Sequence, residues 1–156
     1  MITQKQLRRF VELTKSACYD YAQVSDCGLG KLKQEYRNLG RRILKDIAER
    51  MGLTKGQYDI RWNPGGIACS GDSTLHTDKV YVALHDNCGS GWFYWRTVKG
   101  RKDYSGGANQ IIRWDNFRTV ADVDKLVARL REAQDLPSTG SLVGDINRAM
   151  RVAAGV

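Results

Sequence analysis

What the chain lacks narrows its function first. Its four cysteines, Cys18, Cys27, Cys69 and Cys88, form no Cys-x-x-Cys pair, so reduced thiols in a cytoplasm are the expectation. No apolar stretch approaches the length of a membrane span, and no secretory run opens the chain, so neither a membrane partner nor export is expected. Between Thr54 and Arg118 there is no glutamate. The aspartates there stand singly, whereas two-metal nuclease chemistry groups carboxylates around its ions. No Gly-Lys-Ser/Thr hands a lysine to a nucleotide at a helix start, which excludes a Walker loop. No cofactor, metal or catalytic residue is therefore assigned.

What is present describes one domain spanning residues 1–156, with 42% hydrophobic and 27% charged residues, enough to bury a core without disulfides or metal. The net charge of +8 favours polyanionic partners through field attraction and counterion release. Its distribution is uneven. Residues 1–53 carry 11 Lys and Arg against 6 Asp and Glu, residues 54–118 carry 9 against 6, and residues 119–156 carry 5 against 5.

Periodicity predicts an α+β fold, an antiparallel four- to five-stranded meander sheet flanked by two N-terminal and two C-terminal helices. Thr3 and Gln6 make a capping box before Leu7, Phe10, Val11, Thr14, Ala17, Cys18 and Tyr21 recur at helical spacing over 4–23. The glycines and Asp26 of 25–30 read as a break, and a second helix follows over 31–51, stopped by Gly52 and Leu53. From Gln57 the period shortens to that of strands over 58–62, 67–76, 79–85, 92–98 and 109–114. Thr119 and Asp122 open a third helix over 119–133, and a weaker fourth covers 141–153.

Two sheet faces follow from alternation. With Thr77-Asp78 as the hairpin turn, Thr74 lies opposite Tyr81, Asp72 opposite Ala83 and Ser70 opposite His85. Leu75, Val80, Val82, Leu84, Phe93 and Trp95 then face the core, while Tyr81, His85, Trp92, Tyr94 and Arg96 share the other side. Sheets that stack nucleobases are furnished in this way, as are ordinary aromatic cores.

Two basic features are candidate anion sites. Lys99, Arg101 and Lys102, followed by Tyr104, Ser105, Gly106 and Gly107, form a glycine-punctuated connection that either cradles a phosphate with cations and backbone N–H groups or is a plain exposed turn. On the second helix Lys33, Arg37, Arg41 and Lys45 recur every four residues as a stripe. Like charges at that spacing cost roughly a few tenths of a kcal/mol each, so helix stability does not explain them. A solvated face and a polyanion-binding face both do.

Other constellations are weaker. Cys69, His76, His85 and Cys88 lack zinc spacing. Ser70, Asp72 and His85 share a face, but no nucleophile elbow surrounds Ser70, and enzymatic use of Asp72 and His85 ranks last.

The run Trp62-Asn63-Pro64-Gly65-Gly66-Ile67-Ala68, then Ser70-Gly71-Asp72, Leu75-His76-Thr77-Asp78, and Lys99 to Tyr104 with Gly106, Gly107 and Asn109 resembles small uncharacterised proteins encoded by bacteriophages and prophages. The likeness covers about residues 58–114. It implies an accessory role in a bacterial host cytoplasm and carries over no activity or cofactor. The expected partner is nucleic acid or a nucleotide phosphate. The alternative is a host protein complex, inhibited in the manner of an anti-defence protein.

Overall fold

The computed structural model describes residues 1–19, 26–63, 72–85, 92–113 and 116–135. Helices α1 (Gln4–Tyr19) and α2 (Asp26–Arg50) precede six strands, β1 (Tyr58–Trp62), β2 (Ser73–Thr77), β3 (Val80–His85), β4 (Trp92–Gly100), β5 (Asp103–Gly106) and β6 (Gln110–Arg113), and α3 (Val120–Asp135) follows them. The fold is α+β with an antiparallel sheet, as the periodicity implies. The fourth helix expected over 141–153 lies outside the described residues.

Local chemistry sets the helix ends. The Thr3 N–H donates to Gln6 Oε1 at 3.0 Å and the Gln6 N–H to Thr3 Oγ1 at 3.2 Å, closing the capping box that begins α1. Thr119 and Asp122 do the same for α3, at 2.8 and 3.3 Å. At the end of α2, Gly52 takes φ of 84°. The Gly52 N–H then reaches Glu49 O and the Leu53 N–H reaches Ala48 O, a Schellman stop that the left-handed glycine makes possible. The start of α2 corrects the expected break: Asp26–Gly30 are helical, because glycine costs a helix about 1 kcal/mol without forbidding it.

Strands run β1-β2-β3-β4-β5 in order, and β6 also pairs with β4. Since β3 takes one edge of β4, the short strands β5 and β6 share the other, β6 along Trp92–Trp95 and β5 along Val98–Gly100. Six strands replace the expected four or five because the basic connection is itself a hairpin. The turn between β2 and β3 is also shifted: His76 pairs with Tyr81, Thr74 with Ala83 and Ser73 with Leu84, placing Asp78 and Lys79 in the turn instead of Thr77 and Asp78. The Thr77 side chain selects this geometry by accepting from the N–H groups of Lys79 and Val80 and donating to Val80 O. The slip is two residues on one strand, so the faces assigned by alternation survive it.

One apolar cluster joins Leu7, Phe10 and Leu13 of α1, Tyr36, Ile43 and Ile47 of α2, and Val123, Leu126 and Leu130 of α3 to Leu75, Val82, Leu84 and Phe93 of the sheet. The described helices thus form a single layer on one sheet face. Phe10 stacks on Tyr36 with ring centroids 4.9 Å apart, and Phe93 on Phe117 at 5.3 Å. Gly40 lets α2 lie close over β2, for a Cβ there would stand 3.1 Å from Ser73 Oγ.

Candidate nucleic-acid interface

The basic hairpin is built around its own bonds. Arg101 Nε and Nη2 donate to the two Asp78 carboxylate oxygens at 2.8 and 3.3 Å, and Nη1 donates to Gly56 O at 2.7 Å. Its guanidinium therefore ties the tip of the β4–β5 hairpin to the β2–β3 turn and the α2–β1 loop, and holds the Asp78 carboxyl below its usual range. Ser105 donates its N–H and hydroxyl to Asp103, lowering that carboxyl as well. The Gly107 N–H donates to Thr97 O at 3.0 Å. Gly106 is present for contact: a Cβ there would fall 2.1 Å from the same carbonyl oxygen. Much of the donor set expected to cradle a phosphate is engaged in holding the hairpin. Lys99 and Lys102 are exposed at its tip, and the Tyr104 side chain lies outside the described atoms.

On the sheet face away from the helices the strand pairing assembles the expected aromatic group. Tyr81 lies opposite Arg96, Ala83 opposite Tyr94 and His85 opposite Trp92, although the Trp92 side chain is outside the described atoms. The Arg96 guanidinium sits 5.4 Å from the Tyr81 ring centroid, and the Tyr81 and Tyr94 rings are 5.9 Å apart. Burial, aided by the Tyr94 hydroxyl, raises the Tyr81 phenol. His85 Nδ1 lies 2.6 Å from Asp72 Oδ1, a contact the shifted hairpin register makes possible. The faces of Tyr81, Tyr94 and Arg96 are half-buried against one another rather than spread open.

His76 on the same face is buried, with Nε2 2.8 Å from Thr74 Oγ1. Desolvation first, and the Arg61 charge second, push its pKa from 6.5 down to about 4. The folded protein keeps this imidazole neutral where the unfolded chain protonates it, so the unfolded state binds the additional proton between those values. Stability from this group is complete above pH 6.5 and falls as pH drops from 6.5 towards 4. Denaturant titrations across that window are expected to show the decline, and a His76→Gln variant to lose this part of the slope. The depressed carboxylates of Asp78, Asp103 and Asp122 act at lower pH, from 3.8 downwards.

The helical layer gathers cations that the sequence left scattered. Helices α1 and α2 run antiparallel, Arg9 gripping Glu35 through two bonds of 2.8 and 2.7 Å. Between them lies an open groove of about 530 Å³ with Lys5 and Arg9 on one wall and Lys31, Asn38 and Arg42 on the other. Arg41 and Lys45 continue along the exposed side of α2, and Lys45 meets Glu49 at 3.6 Å. Of the expected stripe, Arg37 leans instead on the ring of Trp62, 5.1 Å from its centroid, and the Lys33 side chain is outside the described atoms. The hairpin and the stripe do not form one site: Arg101 belongs to the turn end of the sheet, and the stripe to the helices.

Sequence reasoning missed Lys5, Arg9, Lys31 and Arg42 as a group, along with Trp62. The spacing of Lys5 with Arg9 was visible, but their convergence on α2 depends on how the helices pack. Among the described residues, no helix is long and apolar enough to cross a membrane. In comparisons with known proteins no family model matches the chain, and no curated protein or solved structure matches it significantly.

Proposed function

We propose that this chain is a small, basic, phage-type accessory protein that binds nucleic acid without acting on it chemically, and that α1 and α2 carry the contact. One observation supports this above the rest. Lys5, Arg8, Lys31, Arg41 and Arg42 are all exposed on the helical layer with no ion-pair partner among the described residues. Arg101 is instead tied to Asp78 and Arg50 to Asp46 and Asp124, while the exposed Arg113 on β6 and Arg129 and Arg131 on α3 do not line the groove between α1 and α2. Cations in excess of the carboxylates beside them, where Glu35 is already taken by Arg9 and Glu49 by Lys45, raise the local concentration of a polyanion and release its counterions on contact. The groove between the helices adds a concave seat for a phosphate chain, with Asn38 and Gln34 amides beside the charges.

Fluorescence anisotropy with labelled DNA tests the proposal. The logarithm of the association constant is expected to fall linearly with log salt concentration, with a slope of roughly −3 to −4 when about five phosphates are neutralised on a single strand. Replacing Arg41 and Arg42 together by glutamine should make that slope shallower by about 1 to 1.5. Binding indifferent to salt, or a double variant with the parental slope, would remove the basis of the assignment.

A further inference from the structure

We infer that Trp62 is a stacking platform for an unpaired nucleobase, which makes the nucleic-acid partner single-stranded. The inference rests on the proposed function and narrows it. Trp62 ends β1 on the same sheet face as Tyr58 and Ile60, where alternation points a side chain at the helices, yet half of its surface (50%) is exposed. Among the described residues the other large exposed apolar side chains are Met1 and Ile111; a single exposed apolar side chain is ordinary, and it is the setting of this indole, beside cations, that carries the argument.

The position explains the exposure. β1 is an edge strand of the sheet, and its partner at Trp62 is Ser73 on β2. Helix α2 passes directly over Ser73 at Gly40, one strand inward, so it covers β2 at this point and leaves the indole at its flank. Arg37, one turn before Gly40 on α2, lays its guanidinium over the indole. Arg41, one turn beyond Arg37, is exposed and belongs to the cations assigned above to phosphate.

A half-exposed aromatic ring, backed by a cation and followed by a further cation one helical turn away, matches the chemistry of single-strand binding. Bases stack on the aromatic surface irrespective of identity while the backbone follows the positive charge. The arrangement suits a duplex poorly, because its bases already stack on one another and offer no free face to the indole. The indole thereby supplies a preference that charge alone does not.

The test compares a ~12-nucleotide oligothymidylate with a duplex of equal length, using the full chain and a Trp62→Leu variant. The wild type is expected to favour the single strand, with quenching of tryptophan emission on binding. Trp62→Leu should weaken single-strand binding about 5- to 150-fold, the equivalent of losing one stacked base, and leave duplex binding and the salt slope unchanged. Trp62→Phe, which keeps an aromatic ring and guards against a folding defect, should lose less. Equal affinity of wild type and Trp62→Leu for the oligothymidylate, or equal losses on both nucleic acids, would overturn the stacking role while steep salt dependence kept the proposed function intact. Absence of salt-dependent binding to either nucleic acid would overturn both.

Discussion

An Asp46→Ala variant is expected to lose about 3 kcal/mol of folding stability, the cost of taking from a largely buried guanidinium the buried one of its two carboxylates. Asp46 is 5% exposed on α2, and its Oδ2 stands 2.8 Å from Arg50 Nε without the alignment of a hydrogen bond, so charge carries the contact. Its other oxygen lies 3.5 Å from the N-terminal ammonium, and Arg50 in turn reaches Asp124 of α3 through Nη1. The cluster therefore joins the chain start, the end of α2 and α3. Removing the carboxylate leaves Arg50, whose side chain is only 16% exposed, with the exposed Asp124 as its remaining charge partner. Exchanging both partners for apolar residues, as in Asp46→Leu with Arg50→Met, is expected to restore most of the loss, since a buried ion pair contributes little net stability over well-packed hydrocarbon. Denaturant unfolding of the single and double variants measures this. A single variant as stable as the wild type would show that water already reaches Arg50.

Gly106→Ala should be nearly as damaging, by about 3 kcal/mol, with a fall in melting temperature of about 10 °C. The added methyl would lie 2.1 Å from Thr97 O and 2.8 Å from Val98 Cα. Both are backbone atoms of β4, so no side-chain rotation relieves the clash. Gly100, in the same hairpin, has nothing within 4 Å of its virtual Cβ. Gly100→Ala is thus the matched control and should stay within about 0.5 kcal/mol of wild type. Circular dichroism melts of the pair distinguish a glycine required for strand contact from one that merely follows turn composition. Nearly equal melts would mean that β5 does not sit against β4.

The contrast shows where sequence reasoning reaches and where it stops. Thr3 with Gln6, Thr119 with Asp122, and the Gly52 stop are legible because each motif is complete within a few residues. The pairing of His85 with Trp92 and the inward face of Phe93 follow from alternation, which is also local. Arg101 is different: its partners, Asp78 and Gly56, lie 23 and 45 residues away, and no spacing rule joins them. A run of cations and glycines looks the same whether it awaits a phosphate or buckles three loops together. β5 escaped notice because Asp103–Gly106 has no apolar alternation, and its strand character comes from β4. Trp62 carried the opposite ambiguity. Alternation places it on the core side, and only the path of α2 leaves it exposed.

The side chain of Gln4 takes Arg118 O and the Val120 N–H together, the latter at 3.1 Å across 116 residues. No other described hydrogen bond spans so much sequence, and its loop-closure entropy is correspondingly the largest. Most strand pairings join neighbours along the chain, α1 packs on α2, and β1 to β4 each pair with their successor, while β6 returns to β4 and α3 reaches back to α2 and β3. During synthesis the helical pair and then the meander can accordingly form as they emerge, and α3 arrives at a surface already in place. Gln4 is a latch on that surface, so α3 is fastened to the sheet's helical layer by the first turn of α1, across nearly the whole described chain.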